Sequence, residues 1–353
     1  MTLSASYKKH TLKFSSPAGT SRGTLTEKET YFIRLEDKAK PGIFGIGECG
    51  PLPGLSIDAV DGFENQLAGV CQMINEAADI PAELELGKFP SIEFGLETAL
   101  LDLENGGTRK IVETDFITKK QPIAINGLIW MAEKEKMNEQ VREKIKQGYK
   151  CLKLKIGALD FADEYNLLEA IRKEFSPADI ELRVDANGAF SNESALEKLE
   201  QLAKLKIHSI EQPIKAGQWQ EMAKLCKKSA LPIALDEELI GIQSESGKNL
   251  LLQIIKPQYI IIKPTLIGGF QAGQEWIELA HKMKTGWWIT SALESNIGLN
   301  AISQWTSSLN PKLPQGLGTG QLYTNNIPSP LEINSGKLNY NNASKWDLSV
   351  LGW

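Results

Sequence analysis

Cysteine is scarce in this chain. The four residues, Cys49, Cys71, Cys151 and Cys226, form no Cys-x-x-Cys pair and no short Cys/His cluster. Structural zinc is therefore not indicated, and free thiols in a reducing cytoplasm are the simplest reading. No apolar run reaches the roughly eighteen residues of a membrane span, and residues 1–10 lack the apolar core of a secretory signal. There is no excess of positive charge, since the formal net charge is −5. A nucleic-acid partner is not expected on that ground. The Lys-rich stretch 134–150 alternates Lys with Glu and reads as a solvated helix face. Also missing is a Gly-x-Gly-x-x-Gly turn between a strand and a helix, the usual opening of a doubly wound nucleotide-binding sheet.

What is present is an ordinary globular balance over 353 residues, 42% hydrophobic and 24% charged. One α/β barrel takes roughly 250 residues, leaving about a hundred for a smaller unit. The first part reads as β-rich. Runs at 7–14, 29–35 and 43–48, joined by Gly, Pro, Ser and Thr, predict a three-strand antiparallel meander. Residues 56–77 and 92–103 carry apolar residues at helical spacing, and Gly106-Gly107 ends the second of these helices. From about residue 122 the texture changes. Eight short apolar runs (122–126, 151–156, 181–185, 209–211, 233–236, 259–263, 287–291 and 316–320) alternate with helical stretches such as 162–174, 194–205, 219–229 and 269–284. Eight strand–helix units predict a closed (β/α)8 barrel of parallel strands.

Charge placement at the run ends carries the functional information. The second run ends in Lys153-Leu154-Lys155, the third in Asp185, the fourth in Glu211, the fifth in Asp236 and the sixth in Lys263. A barrel of this type holds its active site at the C-terminal ends of its strands. Three carboxylates on adjacent strands would converge there and repel one another. A hard divalent cation resolves the repulsion, and all-oxygen ligation favours magnesium, with manganese as a substitute, over zinc. Asp185, Glu211 and Asp236 are the expected ligands; salt bridges to the lysines without a metal are the alternative. Lys153 and Lys155 lie two apart on a strand and point the same way, their Cα atoms about 6.6 Å apart. Two such charges repel by roughly 2.5 kcal/mol at an effective dielectric of about 20. That favours a neutral lysine able to act as a general base, while the carboxylates act in the opposite direction. Lys263 would face Lys155 across the mouth, so that a carboxylate substrate between them could lose its α-proton, the cation holding the new charge. Asn187 and Glu237 stand beside this set as residues that could orient it.

The order Lys-x-Lys, Asp, Glu, Asp, Lys over strands two to six resembles the enolase superfamily, muconate-lactonizing subgroup, and the resemblance covers essentially the whole chain. It implies an N-terminal α+β capping domain at 1–117, a catalytic barrel at 118–322 and a tail, 323–353, packed back on the cap. The stretch FGLETALLDL at 94–103 looks like the helix that precedes the barrel in that subgroup. Within it, SRGTL at 21–25, GECGPLPGLS at 47–56, TSALESNIGL at 290–299 and GLGTGQLY at 316–323 match the dehydratase branch. That branch implies a syn dehydration of 2-succinyl-6-hydroxy-2,4-cyclohexadiene-1-carboxylate to 2-succinylbenzoate in menaquinone biosynthesis. Lys155 would be base and then acid, Lys263 would stay cationic, and Lys153 would tune its neighbour. Cap loops 20–23 and 49–55 would supply specificity, with Ser21 and Arg22 near the substrate and Ser291, Gly318 and Thr319 donating from strands seven and eight. A cytoplasmic enzyme, with neither membrane nor nucleic acid as partner and open to homo-oligomer formation, is the expectation.

Other members of the subgroup are the rivals: racemases of N-acyl amino acids, dipeptide epimerases and lactone-forming cycloisomerases. Dipeptide epimerases carry Asp-x-Asp on strand eight, where this chain has Gly318-Thr319-Gly320. The mandelate-racemase type needs a histidine near strand seven, and the only histidines are His10, His208 and His281. A non-catalytic binding protein on a retired barrel would have lost a ligand or a lysine, and none is missing.

Overall fold

The computed structural model describes residues 2–20, 23–130 and 132–353. Three antiparallel strands open the chain, β1 (Leu3–Thr20), β2 (Gly23–Asp37) and β3 (Phe44–Cys49). They run longer than the apolar runs predicted, because the solvent-side halves of β1 and β2 are polar and leave no hydrophobic signal. The β1–β2 register shifts between Lys13 and Ala18, so residues 14–17 stand opposite Thr26 alone. Helices Phe63–Ala77 and Pro90–Glu104 cover one face of this sheet and bury Ile33, Leu35, Leu67, Ile74, Ile92 and Ala99. Residues 56–62, predicted helical, are turns; the helix begins only after the left-handed Gly62. The second helix lies unusually close to β3. A Cβ on Gly47 would stand 1.8 Å from the carbonyl oxygen of Gly95, and one on Gly45 equally close to that of Ala99.

The barrel follows. Its strands are β5 (Gly127–Ile129), β6 (Cys151–Lys155), β7 (Glu181–Asp185), β8 (Ser209–Glu211), β9 (Ile233–Leu235), β10 (Tyr259–Ile262) and β11 (Gly286–Ile289), all parallel and adjacent in sequence order. Each is followed by a helix: Lys134–Lys146, Phe161–Glu174, Asn192–Ala203, Trp219–Lys228, Glu245–Ile255, Gly269–Met283 and Asn296–Ser308. Side chains of Asp160, Ser191, Ser244 and Ser295 cap four of these helices. Two expectations need correction. The first barrel strand is not 122–126. Ile123–Ala124 (β4) pairs instead with a hairpin of the tail, β12 (Leu331–Asn334) and β13 (Lys337–Tyr340), and the barrel strand starts at Gly127. The eighth run, 316–320, is not a strand. The barrel closes through two parallel bridges, Ile125 with Gln315 and Thr290 with Gly316.

The tail also reaches the cap. Phe14 bridges to Tyr323, Asn325 bonds to Thr11 and Lys13, and Lys8 donates to the carbonyls of Leu351 and Gly352. Among the described residues no helix is long and apolar enough to cross a membrane. The close approach of β3 to its helix gives a stability test. Gly47→Ala should cost about 2 kcal/mol or more by overpacking, read as a lower midpoint in thermal unfolding. An unchanged midpoint would mean the helix can withdraw at no cost.

Candidate active site

The parallel register sets the spacing of the charged groups. Lys155 on β6 pairs with Asp185 on β7, and Asp185 with Glu211 on β8. Glu211 pairs with Ala234, which puts Asp236 just past the end of β9, and Lys263 just past β10. The six side chains meet at one end of the barrel. Asp185, Glu211 and Asp236 are buried, as is Lys153.

Lysines stand between the carboxylates. Lys153 Nζ lies 2.8 Å from Asp185 Oδ2 and 2.5 Å from Glu211 Oε2. Lys155 Nζ lies 2.9 Å from the same Asp185 oxygen, and Lys263 Nζ contacts Asp236 and sits 3.9 Å from Glu211 Oε1. Three lysine side chains thus face three carboxyl groups. Among the described residues no group of three His, Cys, Asp or Glu side chains stands ready to hold a metal as placed. The donor set nevertheless fits a hard divalent cation. All its atoms are oxygens on adjacent strand ends, and Glu211 Oε1 is buried without a hydrogen bond.

The balance of charges moves the proton affinities apart. Burial alone would raise the Asp185 carboxyl, but the charges of Lys153 and Lys155 hold it well below the usual range. Glu211 goes the other way, pushed up to about 8 by burial and then by the charge of Asp185, with Lys153 opposing. Burial would lower Lys153, but Asp185 and Glu211 raise it instead. Lys263 is raised against its burial by Asp236 and Glu211. The repulsion argued for the two lysines of β6 therefore does not lower Lys153: two carboxylates within hydrogen-bond reach outweigh one like charge.

Two residues beside the carboxylates adopt left-handed backbone, Asn187 at φ 44° and Gln212 at φ 40°. Such conformations concentrate at functional sites. Here they turn the chain back so that Asn187 N donates to Asp185 Oδ1, and the Gln212 amide oxygen accepts from Asp236 N. Asn187 Oδ1 also accepts from Lys155 Nζ at 2.7 Å, and its amide nitrogen donates to Glu237 Oε1 at 3.0 Å. Asn187 thus touches the lysine expected to be the base, and Glu237 holds Asn187.

Lys153, Lys155, Asn187 and Lys263 open on a cavity of about 500 Å3, within the range of small-molecule sites. Ser291, Gly318 and Thr319 line it as well, and Ser291 Oγ bonds to Glu294 and Thr319. Of the cap loop 49–55, Leu52 and Leu55 reach the cavity. Ser21 and Arg22 lie outside the described residues. Sequence reasoning passed over the segment 14–18 of β1, which lines the cavity because the register shift frees it from β2. It also passed over Glu294, whose buried carboxylate accepts from Thr265, Ser291 and Ala292. A carboxylate three residues after Ser291 was the only signal available for it.

Comparison with known proteins agrees with this architecture. Residues 136–344 match the family model "Enolase C-terminal domain-like", and residues 5–103 match "MenC, N-terminal domain". The o-succinylbenzoate synthase of Desulfotalea psychrophila is 47% identical over 94% of this chain and 98% of its own. The crystal structure of MenC from the same organism superposes with a TM-score of 0.83, 42% identity, and coverage of 96% and 100% of the two chains. The muconate lactonizing enzyme of Pseudomonas fluorescens shares the fold at a TM-score of 0.83 and 20% identity, covering 99% of this chain and 97% of its own. With cap, barrel and full-length likeness in agreement, the chain belongs to the o-succinylbenzoate synthase family of the enolase superfamily.

Proposed function

We propose that this site dehydrates 2-succinyl-6-hydroxy-2,4-cyclohexadiene-1-carboxylate to 2-succinylbenzoate, the o-succinylbenzoate synthase reaction of menaquinone biosynthesis. The observation that carries this reading is that Lys155 and Lys263, anchored on opposite sides of the carboxylate trio, both open on one cavity. Asp185, Glu211 and Asp236 would hold a divalent cation, magnesium or manganese. When bound, it supplies positive charge against the carboxylate that gains electron density as the α-proton leaves.

The chain's own residues do the rest. Lys155, in its neutral form, takes the proton from the carbon next to the ring carboxylate. The C–H electron pair passes into the substrate as an enediolate. Asn187 fixes the direction of the Lys155 amine by accepting one of its N–H bonds. Lys263 stays charged, because Asp236 and Glu211 favour its ammonium form, and faces the developing negative charge. The C–O bond at C6 then breaks, and its hydroxyl leaves with the proton that Lys155 returns. One water is lost, the ring becomes aromatic and Lys155 is neutral again. Because one amine serves both steps, proton and hydroxyl leave from the same face. Lys153, tied to Asp185 and Glu211, keeps its own proton. The four free, buried thiols suit a reducing cytoplasmic setting.

A second reading has one observation in its favour: two lysines on opposite sides of a cavity also suit a two-base racemase or epimerase. Against the dipeptide version stands Gly318-Thr319-Gly320, which offers no carboxylate to a substrate amine.

The assay is direct. Purified protein with Mg2+ should remove the ultraviolet absorbance of the diene and produce 2-succinylbenzoate, and EDTA should stop it. Lys155→Ala should lower kcat by at least about a hundredfold in a protein that unfolds at the wild-type temperature. A variant with a near-normal rate would sink this assignment of the base. Loss of α-deuterium from N-succinyl amino acids, with the diene untouched, would favour the racemase instead.

The position of Glu211 gives a second measurement. Its carboxyl keeps a proton up to about pH 8, and a cation ligand must be ionised. Magnesium binding at neutral pH should therefore release protons, visible with an indicator dye in weak buffer. The release should fade as pH rises above about 8. Binding at neutral pH with no proton release would remove Glu211 from the ligand set or its proton from the carboxyl.

A further inference from the structure

We propose that Lys28 of the cap is a positioning residue for the substrate wall: through the carbonyl of Leu293 it holds the turn after β11 in the shape that lines the cavity. The inference rests on the dehydratase reading for its substrate, but not for its geometry.

Lys28 lies in the middle of β2 and is 2% exposed. Its Nζ crosses from cap to barrel and donates to Leu293 O at 3.0 Å. Tyr323, at the start of the tail, donates its hydroxyl to the same oxygen at 2.7 Å. Two donors from two separate parts of the chain thus fix one carbonyl. That carbonyl belongs to a leucine with φ 66°, a conformation leucine rarely adopts. Leu293 and its neighbours Ser291 and Ala292 line the cavity.

The turn's other contacts leave its peptide orientation to this clamp. Glu294 is fixed to Thr265 and Ser291 on the barrel side. Ser295 is fixed from the cap, where Glu48 accepts from its backbone N–H at 2.9 Å and its hydroxyl at 2.5 Å. Leu293, just before them, is held through its carbonyl. Gly50 leaves room for the ammonium, since a Cβ there would stand 2.8 Å from Lys28 Nζ. The buried lysine is therefore more than a staple between domains. Its bond ends on a strained residue of the substrate wall, so cap docking and pocket shape are set together.

The test is a cycle of variants assayed on the diene. Lys28→Met keeps the aliphatic stem and removes the ammonium. It should raise KM about tenfold, the scale of one lost charge-assisted hydrogen bond, with kcat within about twofold. Leu293→Gly relieves the backbone constraint, since glycine takes positive φ freely. In that background, adding Lys28→Met should change KM less than about twofold. A purely structural lysine would lower the unfolding temperature or the active fraction equally in both backgrounds, without moving KM. KM unchanged in Lys28→Met, or raised equally in both backgrounds, would overturn the proposal. If Lys28→Met does not fold, Tyr323→Phe removes the other donor and should show the same pattern, with about a threefold rise in KM. Hydrogen exchange separates this inference from the activity itself. Should the wild type leave the diene untouched, faster amide exchange confined to 291–295 in the variant would still support the clamp. Unchanged exchange there would overturn it.

Discussion

Three carboxylates buried at neighbouring strand ends are the constraint around which this molecule is arranged. No protein interior tolerates such a set without compensation. Here the compensation comes from three lysines, two on the strand before the carboxylates and one on the strand after. The parallel register makes this possible, because it sets Lys155, Asp185 and Glu211 side by side and leaves Asp236 and Lys263 just past the ends of the next two strands. The arrangement gives each carboxyl group a lysine partner yet leaves one Glu211 oxygen without a hydrogen bond. Any added charge, whether a divalent cation or an anionic substrate, must compete with these pairings.

Most of this was legible from sequence because it is local and periodic. Each strand–helix unit of the barrel repeats the same pattern, and strand-end residues are fixed by that pattern alone. Misreadings arose where partners far along the chain decide the structure. Residues 122–124 have a barrel strand's composition, but the tail hairpin takes Ile123 and Ala124 as its own edge. Residues 316–320 read as a strand, but only Gly316 makes a bridge and Thr319 and Gly320 enter a 3-10 turn, their glycines offering few side chains to pack. The contact of Lys28 with Leu293 spans 265 positions. Within β2 alone, Glu27-Lys28-Glu29 looks like an exposed polar edge.

At three places left-handed backbone bends the chain at the site itself. Asn187 and Gln212 reverse the chain directly after two of the carboxylate-bearing strands, and Leu293 does so after β11. None is a glycine, so each conformation is held by surrounding bonds rather than by permissive chemistry. The strands themselves are regular. The cost of shaping the pocket falls on single residues at their tips, which leaves the barrel core free to pack conventionally.

The pairing of Phe14 with Tyr323 has a further consequence, one that concerns time rather than geometry. The cavity is walled in part by residues 14–18, and that wall is closed against a segment some three hundred positions further along the chain. Contacts of such separation form late and slowly. The barrel's strand–helix units can assemble from local contacts, while the mouth stays open until Leu322 and Tyr323 reach Ser15 and Phe14. A chain with its barrel formed and this contact still unmade would lack a finished pocket, so that closing the wall belongs to the last stage of folding.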